Sequence, residues 1–424
     1  MLFYQDYTAA EDRTAFLARL IRETKGSAAF ARALEADAYF RGENPAIARK
    51  TVLKARKLET RDETGRRRTR CVTEDVVGNR IGSGFLYRFV CQQNQYLLQN
   101  GVTLPPAVRA RLGSGFDRRL SQLGERALLQ GVAFGYWNGA ALEVLDAARG
   151  PLSGFAPLWD ELTGALRAGV QFWQSAPERP LYARLFEEGR ITLLRLRGDG
   201  CEVLEERVCR GLPVIPLFAN AEHRSELTPA IRAKIDAYDR ILSDFADNLD
   251  RANDVYWVLN NFGGTTDDIA EMLAEISRLK AVANLSDGTG GGSTAEPHTI
   301  EVPYEARRTA LELLEKALYD DYMALDLRAL TGGSLTNVAI RAARANLDLK
   351  SDRYEWQVTE FLQGLLGYLG VRTEEIRFQR QQLENALETV QAIALARDDI
   401  DRRTALKLNP MLQSEEVDAL CAAT

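Results

Sequence analysis

The chain has 424 residues, of which 46% are hydrophobic and 27% charged, and its formal net charge is −6. That length supports two or three domains with sizeable cores, and the acidic balance excludes a surface that attracts nucleic acid as a whole. Cys71, Cys91, Cys201, Cys209 and Cys421 include no C-x-x-C pair, which excludes a zinc ribbon or disulfide frame and reads as reduced thiols. With no apolar stretch of membrane-spanning length and no leader pattern, the expectation is a soluble protein.

Residues from about 10 to 40 read as helical, with Phe16, Leu17, Leu20 and Ile21 on one face. Between Arg49 and Arg70 there are ten Lys/Arg against three Asp/Glu, which reads as a solvated turn between two strands, or as a docking surface for an acidic partner or DNA. Residues 79–100 and 116–137 predict buried helices. From about 139 to 218 the period shifts towards strands, with Gly198-Asp199-Gly200 as a hairpin turn. Thr228-Pro229 is a helix start, a hydroxyl cap followed by proline at the first helical position. From there an apolar seam of Ile231, Ile235, Tyr238, Leu242, Phe245, Leu249, Tyr256 and Leu259 predicts one long helix ending near Asn260.

A helix over about 267–281, a flexible glycine run at 288–292 and a return strand over 296–303 follow. Pro303 opens a helix to about Leu327, with Leu311, Leu314, Leu318, Tyr322 and Leu325 on one face. After Gly332-Gly333, a third long helix runs from Ser334–Thr336 to about Leu369 with a seam at Ile340, Leu347, Tyr354, Val358, Phe361 and Leu365. A short strand-like piece and two or three small helices close the chain. The fold class is α+β, mainly α.

Chemistry-bearing patterns are few. His223 and His298 fall in predicted loops without an evident partner and read as surface histidines. The glycine run lacks the lysine of a phosphate loop. Asp244, Asp247, Asp250 and Asp254 share one helix face and read as a solvated stripe rather than a metal site. Asp398-Asp399-Ile400-Asp401 reads as a capping loop. No cofactor site and no catalytic residue is expected.

Several stretches resemble the SPP1-like portal proteins of tailed phages. The segment 214–264 carries Pro216, Asn220, Ser225, Ile235, Asp236, Tyr238, Asp239, Ser243, Val258, Leu259, Asn261 and Gly264 in the order of that family's signature. Tyr39, Gly42 and Asn44, the stretch from Asn79 to Gly101, then Phe116, Leu120, Ala127 and Gly131 are similar to earlier motifs. Ala339, Arg341, Leu347 and Lys350, and finally Thr404 to Glu416, are similar to later ones. Asn337 departs from the pattern, where the family commonly has glycine.

The resemblance implies a non-enzymatic ring at one capsid vertex, of about twelve copies, or about thirteen outside a capsid. It implies an arm (1–24), a wing (25–224), two stem helices (225–259 and 303–327), a clip (260–302) and a tunnel loop (328–335). A wing–crown helix (336–370), a wing strand (371–380) and a crown (381–424) complete the set. The tunnel loop would bring Arg328, Ala329, Leu330, Thr331, Gly332, Gly333, Ser334 and Leu335 to the DNA. Ile231, Ile235, Tyr238, Leu242, Phe245, Leu249, Tyr256, Leu311, Leu314, Leu318 and Tyr322 would pack the stems between subunits. Asp267, Asp268, Lys280, Gly290, Gly291 and Gly292 would dock partners at the clip.

Those partners would be further copies of the chain, double-stranded DNA passing without sequence readout, the terminase large subunit, a head-completion adaptor, and the major capsid and scaffolding proteins, with no membrane. The location would be the virion, after assembly in the host cytoplasm. Two other classes fit the residues alone: another coiled-coil-rich assembly protein, and a soluble enzyme with an unrecognised site.

Overall fold

The computed structural model describes residues 2–61, 67–197, 200–251, 255–260, 294–299, 304–330, 336–373, 375–380, 386–396, 400–409, 412 and 417. Among the described residues the chain mixes helix and sheet and is about half helical. It divides into two units: Met1–Gly42 with Gly84–Arg232 and Leu318–Thr424, and Glu43–Ser83 with Ala233–Ala317.

In the first unit α1 (Tyr4–Ala9) precedes α2 (Arg13–Lys25) and α3 (Ala28–Phe40), two helices across the stretch expected to be helical from about 10 to 40. The break is chemical. Gly26 caps α2, and the Ser27 side chain accepts the Phe30 N–H at 3.1 Å, restarting the helix at once.

Helix α4 (Phe85–Leu98), strand β3 (Val102–Thr103), α5 (Pro106–Leu112) and α6 (Phe116–Gln130) follow. The helix expected over 116–137 stops at Gly131, which sits at φ 89° where a side chain is disfavoured. Residues beyond it form β4 (Val132–Trp137), which pairs with β5 (Leu142–Asp146) and β11 (Val214–Phe218) in a three-stranded sheet.

A five-stranded antiparallel sheet holds β6 (Gly154–Trp159), β7 (Leu166–Trp173), β8 (Leu181–Glu187), β9 (Arg190–Arg197) and β10 (Gly200–Val208), in the order β10-β9-β8-β7-β6. Its strands alternate between two cores, as period two requires. Ala156, Leu158, Ala183, Leu185 and Leu194 pack with Phe16, Leu20 and Phe30 of α2 and α3. Phe155, Phe186 and Ile191 pack with Phe134, Leu145 and Val214 of the three-stranded sheet. The expected hairpin is present, with Gly200 paired to Arg197. His223 is exposed and its ring stacks on Phe218 at 3.6 Å.

The second unit contains a hairpin of β1 (Thr51–Arg61) and β2 (Arg67–Val77), most of α7 (Pro229–Arg251), the pair β12 (Val255–Asn260) and β13 (Thr294–Thr299), and most of α8 (Tyr304–Tyr322). Two long-helix expectations need correction. The seam through Tyr256 and Leu259 was expected to be one helix, yet these residues stand on β12. Val255-Tyr256-Trp257-Val258 is a continuous β-branched and aromatic run, which suits a strand better than a helix stripe. Helix α8 ends five residues before Leu327. Tyr319 O accepts from Ala324 N at 3.0 Å and Asp320 O from Met323 N at 3.1 Å, with Met323 at φ 63°. That pair of bonds is a Schellman stop.

Returning to the first unit, a 3-10 turn (Leu327–Leu330) precedes α9 (Asn337–Tyr368), which starts where expected, with the Thr336 side chain accepting the Ala339 N–H. Strand β14 (Arg377–Phe378) pairs with β3, and α10 (Ala386–Leu395) and α11 (Arg402–Leu408) follow. Asp401 caps α11 through the Thr404 N–H at 3.1 Å, as its position in the acidic run suggested.

Candidate functional site

Helix α7 carries Asp239, Ser243 and Asp247 at intervals of four, so the three side chains form a row on one face. In the second unit this row is buried: Asp239 and Ser243 are 0% exposed and Asp247 7%. Each accepts a backbone N–H from the segment that follows β2. Asn79 N donates to Asp247 Oδ1 at 2.7 Å, Ile81 N to Ser243 Oγ at 3.0 Å and Ser83 N to Asp239 Oδ1 at 2.9 Å. The match is one of period. Alternate amides of an extended chain recur about every 6.8 Å, and every fourth helical residue about every 6 Å. Three rungs therefore fit before the two spacings drift apart.

The segment that enters β1 is tied to the same row. Asn44 Nδ2 donates to Asp239 Oδ2 at 2.8 Å, and Lys50 Nζ reaches Asp244 Oδ1 at 2.8 Å and also Asp247 Oδ2. Asn79 Nδ2 completes the set by bonding Asp247 at 2.9 Å and Asp250 at 2.8 Å. The stripe expected to be solvated is instead, at Asp247, an enclosed acceptor, because the cationic and amide partners lie far away in sequence. Charge follows geometry. Burial pushes the Asp239 carboxyl above its ordinary value, against the hydrogen bonds from Asn44 and Ser83. At Asp247 burial acts the same way, but the bonds from Asn79 and Lys50 outweigh it and hold the group below its ordinary value.

In the first unit a second polar set fixes the start of the segment after α8. The Gln92 side chain pairs with the backbone of Leu325 in both directions, donating at 3.0 Å and accepting at 2.9 Å. Tyr322 Oη donates to Gln93 Oε1 at 2.9 Å, and Lys350 Nζ donates to the Tyr322 carbonyl at 2.9 Å while pairing with Glu226 at 2.6 Å. Arg328 then bonds both carboxylate oxygens of Asp326 at 3.0 Å and lies 5.6 Å from the Tyr319 ring centre. Asp326 is held below the usual carboxylate range, chiefly by that bond from Arg328. Among the described residues no group of three or more His, Cys, Asp or Glu is placed to hold a metal ion, and no described helix is long and apolar enough to cross a membrane.

The family described as phage portal protein, SPP1 Gp6-like, matches residues 202–423, more than half of the chain. This chain belongs to that portal family. The portal protein of Clostridium phage phiCD119 is 28% identical over 212 residues, covering 48% of this chain and 46% of that protein. The portal protein of Bacillus phage SPP1 is 28% identical over 221 residues, covering 48% of this chain and 42% of that protein. Each match thus spans a little under half of the relative's length.

The family match begins at residue 202, whereas Asn44 and Asn79 lie upstream of it. These two residues carry the earlier portal-like motifs, and in the structure both bond to α7 rungs inside the matched stretch. Motif residues that are far apart in the chain therefore form one site. Their partners could not be read from spacing along one helix; the hint was a polar row interrupting an apolar helix at every fourth position.

Of the expected portal residues, Arg328, Ala329 and Leu330 lie in the 3-10 turn, and Thr331 to Leu335 lie outside the described residues. So do Asp267, Asp268, Lys280 and Gly290 to Gly292 of the clip. The expected stem residues differ in how far the chain itself covers them. Ile231, Ile235, Leu318 and Tyr322 are at most 2% exposed within the chain itself. Tyr256 is on β12. Tyr238, Leu242, Phe245, Leu311 and Leu314 are only half-buried, and Leu249 is exposed. Phe245 meets Tyr304 edge-on at 5.7 Å, joining α7 to α8 in the second unit.

Proposed function

We propose that the chain is one subunit of a closed ring of about twelve copies at a single capsid vertex, with DNA passing along the ring axis. In this reading α7 and α8 are stem helices, 260–302 the clip, 328–335 the loop nearest DNA, α9 the link from wing to crown, and 381–424 the crown. The ring nucleates the procapsid vertex and docks the terminase that hydrolyses ATP. Later it receives a head-completion adaptor and retains the packaged genome.

The observation that carries the assembly is an inverted helix. A surface helix normally buries its apolar stripe and exposes its polar one. In α7, Asp239, Ser243 and Asp247 point inward, while the row Tyr238, Leu242, Phe245 and Leu249 is left half-open. An apolar row of this kind suits a neighbouring copy. Helix α9 has a second one, with Val338, Leu349 and Trp356 exposed at 75%, 59% and 70%. The net charge of −6 suits a conduit, since a basic lining would hold phosphates by counterion release instead of letting them slide.

The test is the particle itself. Native mass and averaged electron images should show a ring with an axial hole, near about twelve times 47.3 kDa. The double change Leu242→Asp with Phe245→Asp should shift material to single copies that keep their helical content. A wild-type chain that stays a single copy at micromolar concentration overturns the reading.

A further inference from the structure

The row of acceptors on α7 is closed at both ends. One turn before Asp239 it holds Ile235, which is buried and offers no acceptor, and four residues after Asp247 the helix has Arg251, a residue type with no acceptor atom on its side chain. Shifting the 79–83 segment by one rung would set Ser83 N against Ile235 or Asn79 N against Arg251. A buried N–H left without a partner costs about 1–3 kcal/mol, so a single register satisfies all three amides.

Both ends of the β1–β2 hairpin are tied into this register. The entering chain is held by Asn44 and Lys50, the leaving chain by Asn79, Ile81 and Ser83. The hairpin itself is a two-stranded ribbon of eleven paired positions, and such a ribbon is marginal by itself in water. Gly78 belongs to the same arrangement: a Cβ there would come within 3.1 Å of Asp247 Oδ2 and 3.0 Å of Val52.

We propose that the Asp239–Ser243–Asp247 row is a register clasp that makes the β1–β2 hairpin and residues 239–250 of α7 move as one piece. A shift or rotation of the helix is then transmitted to the hairpin instead of being absorbed in the crossing segment 78–83. The clasp lies within one chain and does not depend on the ring reading. It assigns a positioning role to Asn44, Asn79, Asp239 and Ser243, which is separate from contact with DNA or with another subunit.

Residue-resolved amide hydrogen exchange on the full-length chain tests this. In the wild type the amides of Asn79, Ile81 and Ser83 should exchange at least about tenfold more slowly than those of Arg80 and Gly82, the difference expected of about 1.4 kcal/mol. Ser243→Ala should speed Ile81 about tenfold and increase trypsin cutting between Arg49 and Arg70, while amides around Phe361 and Leu362 stay protected. Ser243→Thr keeps the hydroxyl and should restore both readouts. Asn44→Ala provides a second variant from the entering side, with faster hairpin cutting as its expected result. Equal exchange at all five amides in the wild type overturns the clasp. So does a Ser243→Ala protein with unchanged Ile81 exchange and unchanged hairpin cutting. A chain that never forms rings yet shows the alternating pattern would reject the ring and keep the clasp.

Discussion

Lys350 Nζ lies 2.6 Å from Glu226 Oε2, with only 14% and 11% of the two side chains exposed. The ammonium also sits over the Tyr322 ring, 3.3 Å from its centre. Burial draws the Lys350 pKa below its ordinary value, while the Glu226 charge acts in the opposite direction. Removing one partner strands the other. Lys350→Met should lower stability by about 3–5 kcal/mol, and Lys350→Met with Glu226→Met should recover most of the loss. Urea midpoints at constant m read this directly. A double variant no better than the single one would mean that the pair itself, rather than an unpaired charge, carries the stability.

Acid should weaken the clasp through Asp247. Its folded pKa is depressed below the ordinary 3.8. Its contribution is therefore full above that value and is lost as pH falls through the lower, folded one. Asp239 acts with the opposite sign. Its folded pKa is raised, so its contribution is full at low pH and declines as pH rises through the folded value. Asp247→Asn should cost about 1–3 kcal/mol near neutrality, and the gap to wild type should narrow below about pH 4. Melting curves collected across that range that stay parallel would contradict the assignment.

Gly124 of α6 faces Asn94 of α4 and Tyr354 of α9. A Cβ at that position would come within 2.5 Å of Asn94 Oδ1 and closer still to Tyr354 Oη. In an open helix, alanine would gain up to about 1 kcal/mol over glycine. Here overpacking should dominate, and Gly124→Ala should lose about 1–3 kcal/mol. Gly367→Ala in α9, with nothing within 4 Å of the added carbon, is the matched control and should gain. Thermal unfolding of the two variants should move in opposite directions.

Met323 closes α8 in the left-handed region at φ 63°. For a residue with a Cβ that conformation costs about 1–2 kcal/mol. Met323→Gly should therefore be more stable than Met323→Ala by about 1 kcal/mol, since both remove the long side chain and only glycine relieves the strain. Equal melting temperatures would show that the Schellman stop tolerates the side chain without cost.

What the sequence determined by itself was local and periodic. The Thr336 cap of α9, the seam from Ile340 to Leu365, the hairpin after Arg197 and the Asp401 cap all rest on contacts a few residues apart, and spacing alone specifies such contacts. The order of motifs pointed to the portal family because order is itself a property of sequence. Tertiary structure decided which face of α7 turns inward. Read along the chain, Asp247 should be in water. The outcome reverses because Asn44, Lys50, Asn79, Ile81 and Ser83 bring donors from about 160 to about 200 residues away, and a buried carboxylate is tolerable only once such partners arrive. At the end of α7 the strand-favouring run from Val255 to Val258 was local, and its pairing with β13, distant in the chain, was supplied by the tertiary structure.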